Sequence, residues 1–263
     1  MKKLRLSYSR ASTFLNCRQA YRWAYIEGLA SKKKAVPLQV GDIVHQLFHL
    51  QFEGKLRGED IQDLDGFVRR LYPENDPSFN LEVALQAASL FSGYLENYQN
   101  DPLSQSSSET HLEVEMPDFH LYGRIDGLCY TSDMRLWRLE RKTSSSMDSS
   151  FLSGLKNSLQ AGIYDYLLDT VLDEKHWGTI YDILVKTKVP QYKRNMVRRN
   201  LRVEERALKA LEGVAQDIKR GDFYPSCKCF TYYRECDYLP LCNFDTPEVR
   251  ESFFQTIPEK ERR

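Results

Sequence analysis

Gly123–Thr143 reads GRIDGLCYTSDMRLWRLERKT, and the fold turns on how this stretch is paired. Two strand-like runs, Leu121–Tyr130 and Arg135–Lys142, flank the polar turn Thr131-Ser132-Asp133, which predicts a β-hairpin. With the loop centred on Asp133, Asp126 stands opposite Glu140. Side chains alternate along a strand, so Glu140 and Lys142 are expected on the face of Asp126. Ile125, Cys129, Trp137 and Leu139 are expected to point the other way, into a core. Directly opposed residues hold their Cβ atoms about 5 Å apart, so the two carboxylates could share one divalent cation with a lysine beside them. A solvated hairpin with a cross-strand ion pair shows the same pattern. Other parts of the chain must supply partners before the chemistry is decided.

At 263 residues the chain is long enough for a domain with a sizeable core. Hydrophobic residues at 41% and charged residues at 28% describe an ordinary globular chain, and no run approaches the about 18 apolar residues of a membrane span. The opening MKKLRLSYSR has no apolar run behind its basic residues, so no signal peptide is read there and a cytoplasmic protein is expected. Lys plus Arg and Asp plus Glu each number 37, so only local clustering can point to a charged partner. In a reducing compartment the six cysteines suit metal or cluster ligation better than disulfides.

Residues 7–29 predict a helix opened by Ser7 or Ser9, with Phe14, Cys17, Tyr21 and Tyr25 along one stripe. Past a basic linker at Ser31–Lys34, an amphipathic helix is expected over about Val40–Phe52. There His45 and His49 lie one turn apart on one face. Two histidines at this spacing can bind zinc, but the HExxH pattern is absent. Helices follow over 60–72 and 80–99, separated by a Pro73–Pro77 loop, and Asn100–Ser108 reads as a polar loop. His111–Met116 then opens a three-strand meander that the hairpin completes, with Glu113 and Glu115 on its first strand. A helix over Phe151–Leu172 sets Gln160 and Tyr164 side by side. Strands over Gly178–Lys186 and Tyr192–Leu201 precede a helix over Val203–Arg220. Lys186, Lys188, Lys193, Arg194, Arg198, Arg199 and Arg202 fall in this region with no acid among them, which suggests a polyanion contact.

The tail FYPSCKCFTYYRECDYLPLC carries Cys227, Cys229, Cys236 and Cys242. Thiolates so clustered suit zinc or an iron–sulfur cluster. Their spacings, with one, six and five residues between them, fit a zinc ribbon poorly. A cluster drawing one ligand from a distant helix fits better, and Cys17 is available. Either Cys227 or Cys229 could then join Cys236 and Cys242.

In its order of motifs the chain resembles the PD-(D/E)XK nuclease superfamily, in particular the RecB-like and CRISPR-adaptation branch that carries a [4Fe–4S] cluster, many of whose members are phage or bacterial. SYSRASTFLNCRQAYRWAYI resembles the helix bearing the first cluster cysteine. GDIVHQLF resembles the histidine motif, with His45 at the metal-binding position. GRIDG and LERKT match the aspartate and ExK motifs at Asp126, Glu140 and Lys142, and QAGIY at Gln160–Tyr164 matches the QxxxY motif. Glu113 is a candidate for the further acid of some relatives by the resemblance alone. The usual cluster tail is C-x₂-C-x₅-C. Here Cys236-x₅-Cys242 matches, Tyr233 replaces the preceding cysteine, and Cys229 is the best substitute.

The resemblance implies an α/β fold with a mixed sheet of about five strands flanked by helices. It implies a single nuclease domain over 1–263, divided into a helical region (1–100), a core (108–202) and a C-terminal helix and cluster tail (203–245). His45, Asp126 and Glu140 would hold Mg²⁺ or Mn²⁺, and Lys142 would orient or help deprotonate the attacking water. Gln160 and Tyr164 would position DNA or the lysine. Cys17, Cys229, Cys236 and Cys242 would hold the cluster, and Lys186, Lys188, Lys193, Arg194, Arg198 and Arg199 would meet DNA. The expected activity is metal-dependent DNA cleavage, by an exonuclease on duplex ends or single strands, in recombination, repair or phage DNA processing. A helicase or recombination protein is the expected partner, since no G-x-x-x-x-G-K-[ST] loop is present. The rivals are an endonuclease of the same chemistry and a catalytically silent iron–sulfur DNA-binding subunit.

Overall fold

A computed structural model of the chain describes residues 3–32, 36–71, 80–231 and 234–258. In chain order the elements are β1 (Leu4–Leu6), α1 (Tyr8–Asn16), α2 (Arg18–Tyr21), a π-helical segment (Arg22–Glu27), β2 (Leu29–Ser31), α3 (Val36–Phe52), α4 (Gly58–Gln62), α5 (Leu64–Leu71) and α6 (Leu81–Asn97). The central part follows with β3 (Ser104–Glu115), β4 (Phe119–Tyr130), β5 (Leu136–Ser144), α7 (Ser149–Lys156), α8 (Leu159–Val171), β6 (Gly178–Val185), β7 (Gln191–Arg198) and α9 (Leu201–Arg220). The tail adds β8 (Phe230–Thr231), β9 (Arg234–Glu235), α10 (Leu239–Asn243), α11 (Pro247–Phe253) and β10 (Phe254–Thr256).

The mixed sheet expected from the sequence is present, flanked by helices. It has six strands in the order β1-β4-β5-β6-β7, with β3 along the other edge of β4. The additional strand is the short β1, parallel to Phe119–Leu121 of β4. Helices α8 and α9 cover one face, where Leu121, Ile125, Leu128, Ile163, Leu167 and Leu211 form a core. Helices α3 and α6 cover the other. Val40, Ile43, Val44, Leu47 and Phe48 recur at the helical period and bury against α6 and Leu184 of β6. Most helix starts carry the cap that their sequences offer. Asn80, Asp148 and Ser158 accept hydrogen bonds from the first-turn amides of α6, α7 and α8.

Several sequence expectations change, and the helix over 60–72 divides at Asp63 into α4 and α5. The helix over 7–29 is interrupted at Cys17, whose backbone is extended (φ −158°, ψ 113°) between α1 and α2. The helix over Phe151–Leu172 breaks at Asn157–Ser158, because the Ser158 hydroxyl accepts from the Ala161 amide and starts a new helix. Asn100–Ser108 is not all loop, since β3 begins at Ser104 and pairs with β4 as far as Tyr130. The Pro73–Pro77 loop and part of the basic linker lie outside the described residues.

The two ends of the chain are tied together. β10 pairs antiparallel with β2. Tyr238 stacks between Trp23 and Phe254, its hydroxyl donates to the Leu29 carbonyl, and Arg250 bridges to Glu27.

Candidate active site

The hairpin register predicted from the turn is the observed one: Gly127 pairs with Leu139, Leu128 with Arg138, and Cys129 with Trp137. The ladder stops there. On this edge of β4, β1 takes Phe119–Leu121 and β5 takes Gly127–Tyr130. Between them β5 leaves β4 to run parallel to β6. Asp126 sits at the split, where its Oδ2 accepts the Arg141 backbone N–H at 2.6 Å.

The expected shared face does not hold for Asp126. Ile125 and Leu128, three residues apart, both enter the core beneath α8, while Cys129, Trp137 and Leu139 pack with Ile180 in a different cluster. Strict alternation cannot put Ile125 and Leu128 on one side, so it slips by one between them. The neighbouring strand is irregular at the same level. Glu109, opposite Asp126, has a left-handed backbone (φ 49°), and the β3 register shifts between Gln105 and Ser107. Asp126 thereby leaves the side of Glu140 and Lys142 and reaches α3, where His45 Nδ1 lies 3.2 Å from its Oδ1.

His45, Glu109 and Asp126 each offer a ligand atom within 4.8 Å of the others, close enough for one ion. Glu109 replaces Glu113 as the further acid. Glu113 is exposed at the far end of β3 and pairs with Arg5 and His120. Pairing β3 and β4 about the Pro117-Asp118 turn places Glu109 opposite Asp126, two residues before the start of the strand expected over His111–Met116. His49 shares the cleft wall without joining the group; its Nδ1 lies 3.1 Å from Ser108 Oγ and its Nε2 3.5 Å from Glu53.

Glu140 is 3% exposed. Its Oε1 accepts from Lys142 Nζ at 2.6 Å, and its Oε2 is buried with no hydrogen-bond partner. Lys142 also donates to Gln160 Oε1 at 2.8 Å, and Gln160 in turn bonds Tyr164. The neighbouring helix thus contacts the lysine, one of the two roles that the QxxxY resemblance implies. Gly123 makes room for this ring, since a Cβ there would meet Tyr164 Cε1 at 2.6 Å.

Charge is strongly coupled across the split. Burial disfavours the ionised Asp126, yet His45, Lys142 and the Arg141 amide outweigh it and hold the carboxyl down at about 2. Burial likewise opposes protonation of His45, and the adjacent Asp126 and Glu140 reverse that, raising it above the usual imidazole range. Lys142 is desolvated too, but Glu140 and Asp126 keep it firmly protonated. Buried carboxylates, an imidazole and a carboxyl oxygen without a partner fit a hard divalent cation.

The family model for the PD-(D/E)XK nuclease superfamily matches residues 5–243. The chain belongs to that superfamily. Its nuclease fold is similar to the crystal structure of a "Putative exonuclease" from Eubacterium rectale, 15% identical, with TM-score 0.55 over 96% of this chain and 89% of that one. A second solved structure, SSO0001, is 15% identical and covers 71% of this chain and 76% of that one at TM-score 0.34. Among curated proteins none matches. No helix among the described residues is long and apolar enough to cross a membrane.

The basic run of this nuclease does not form one surface. Lys188, Lys193 and Arg198 are exposed. Arg194 instead turns inward, with Nε 2.7 Å from Asp182 Oδ1 and a two-nitrogen clasp on Asp101 at 2.6 and 2.8 Å. Arg199 is held by Asp169 and Glu204. Lys186 is half-buried, which lowers its pKa.

The tail passes beside Cys17, with the Gln19 amide donating to the Tyr224 carbonyl, and no group of three cysteines among the described residues lies within 4.8 Å. Burial, then Cys229, Cys17, Cys236 and Cys227 in decreasing order, push the Cys242 thiol up to about 11. The Cys236 amide donates to the Cys229 carbonyl at 2.8 Å, Cys227 is exposed, and Cys129 is buried in the sheet.

Proposed function

We propose that this nuclease is a metal-dependent DNA exonuclease of the RecB-like iron–sulfur branch, built as one domain over residues 1–263 and acting in recombination, repair or phage DNA processing. The observation that carries the reading is the convergence of His45, Glu109 and Asp126 on one metal-capable group, with a buried, unpartnered carboxyl oxygen on Glu140 of the neighbouring motif. Mg²⁺ or Mn²⁺ bound there would lower the pKa of a water and offset charge on the scissile phosphate. His45, Glu109 and Asp126 would supply the ligands, and Glu140 Oε2, buried without a partner, would serve as a further ligand or hold an attacking water. Lys142, protonated and fixed by Glu140 and Gln160, serves as a donor to the phosphoryl oxygens as charge builds on them, rather than as the base. Tyr164 and Gln160 act through that lysine. Lys188, Lys193 and Arg198 remain as the exposed cations for DNA further out.

The same reading assigns a [4Fe–4S] cluster to Cys17, Cys229, Cys236 and Cys242. The run of tail cysteines beside a cysteine from the first helices supports it, with the Cys236 and Cys242 thiols pushed up by burial and by neighbouring thiols. Losing one such ligand is expected to cost folding as well as iron.

The test uses end-labelled linear and circular DNA, single- and double-stranded, with Mn²⁺ or with EDTA. Release of mononucleotides or short products from linear DNA only, abolished by EDTA, is expected. Cutting of circles would make it an endonuclease, and binding without cleavage under any metal would make it a silent subunit. Iron and sulfide assays on anaerobically purified Cys→Ser variants test the cluster. Loss in Cys229→Ser but not in Cys227→Ser is expected.

A further inference from the structure

The metal-capable group opens into a cleft of about 730 Å³ lined by Asp42, His45, Gln46, His49, Glu109, His111, Arg124 and Asp126. Three of these side chains are carboxylates, and only Arg124 carries a permanent positive charge. One divalent cation offsets the two negative charges that remain. Without Arg124 the loaded cleft would still be negative, and a phosphodiester would have to enter against that charge.

Arg124 is built into β4 two residues before Asp126, on the same side of the strand, in the triplet Arg124-Ile125-Asp126. Its cross-strand neighbour on β3 is His111. The guanidinium Nε lies 2.9 Å from Glu109 Oε2, and the side chain is half exposed. A guanidinium is a fork, so an ion pair through Nε leaves the two terminal nitrogens for a second, bidentate partner. The other cations near the split are already engaged. Arg141 donates to Gln105 Oε1 at 2.8 Å and lies over the Phe48 ring, Lys142 is held by Glu140 and Gln160, and Arg5 covers Tyr122 while pairing with Glu113.

We propose that Arg124, braced by Glu109, is a positioning residue that binds a phosphate of the nucleic-acid strand at the mouth of the metal cleft, either the scissile phosphate or its immediate neighbour. Glu109 would then serve twice, one oxygen toward the ion and the other toward the arginine, which ties phosphate placement to metal occupancy. The proposal rests on the nuclease reading of the same site.

The experiment separates a phosphate contact from a brace for Glu109. Binding of a single-stranded oligonucleotide is measured as a function of salt in a Glu140→Ala background, with and without the added Arg124→Gln. Mn²⁺ binding to the DNA-free protein is measured alongside. Arg124→Gln is expected to weaken oligonucleotide binding about tenfold and to flatten the slope of log affinity against log salt by about one. Mn²⁺ binding should be unchanged or tighter, because a positive charge has left Glu109. Arg124→Lys should keep the salt slope and lose only the bidentate part of the affinity.

An unchanged salt slope with weakened Mn²⁺ binding would show that Arg124 only braces Glu109, and would overturn the proposal. So would a slope unchanged in every respect while the wild type cleaves DNA normally, which would leave the nuclease reading intact. Absence of binding and cleavage by the wild type would overturn both.

Discussion

The split between β4 and β5 and the ladder between β6 and β7 were equally conspicuous as sequence, yet they behave differently in the fold. At the split, two short motifs constrain each other through a turn, so the register could be computed and the carboxylates placed near one another. On the ladder, the signal was a tally of like charges. A tally does not say which cation meets an acid: Lys193 faces away from Arg194, and Arg198 shares the Arg194 face of β7 yet lies beyond the acids that hold Arg194. Arg194 pairs across with Asp182 and turns inward, while Lys193 and Arg198 stay in water. Of the carboxylate partners of Arg194, Asp182 is the cross-strand neighbour on β6, but Asp101 comes from a remote segment that no local window contains.

The largest effect that would sharpen this contrast is on stability. Asp182 is fully buried, and Tyr94 and Arg194 satisfy it at 2.5 to 2.9 Å. Arg194→Ala leaves that charge uncompensated and is expected to cost about 3–5 kcal/mol, read by urea unfolding, without changing the salt dependence of DNA binding. Arg198→Ala is expected to do the reverse: under about 0.5 kcal/mol in stability, and a salt slope flatter by about one. Equal stability losses in the two variants would erase the distinction between the paired and the exposed positions.

Next in size is Glu140→Gln. It keeps the shape of the buried side chain and removes the charge that holds Lys142 and completes the site. Cleavage is expected to fall by about 10²–10³, while the melting temperature changes little beside that of Arg194→Ala. Near-wild-type turnover would detach the split from the chemistry.

What could be read from the sequence at the split was the pairing, and what could not was the slip in alternation. Asp126, Glu140, Lys142, Gln160 and Tyr164 were found because each belongs to a motif with fixed spacing. Glu109 was missed because its strand begins in a serine-rich run that looks like loop, and because its left-handed backbone is set by the β3–β4 mismatch. The face of Asp126 was misjudged for the same reason, since a one-residue slip reverses every inference drawn from period two. The helix break at Cys17 has no sequence mark. Beyond the motifs, β1 and β10 are three residues each and gain their order only from the strands they join.

A smaller effect tests the packing behind the lysine. Gly123→Ala puts a methyl where Tyr164 Cε1 would lie 2.6 Å away. The ring must shift, at an expected cost of about 1–3 kcal/mol, and with it Gln160 and the Lys142 amine. Turnover should therefore fall while Mn²⁺ binding by His45, Glu109 and Asp126 is retained, because those groups lie across the split. Parallel loss of metal binding would show that the two sides are one rigid unit.

The smallest effect is the pH dependence of the metal-free protein at the split. His45 has its pKa raised in the fold, so its pairing with Asp126 adds stability that is fully present below its unfolded value of about 6.5 and is lost as pH rises through the folded value. Asp126 is depressed to about 2, so its contribution is present above its ordinary value of 3.8 and disappears as pH falls through about 2. Between those limits the pair is intact. Protons and metal compete for His45, so Mn²⁺ affinity should climb with pH across the window in which metal-free stability declines. His45→Gln removes both slopes together, since the imidazole is their common origin. Loss of only the metal slope would mean that the ion pair contributes nothing to the fold. Isothermal titration at several pH values beside unfolding curves at the same values reads both.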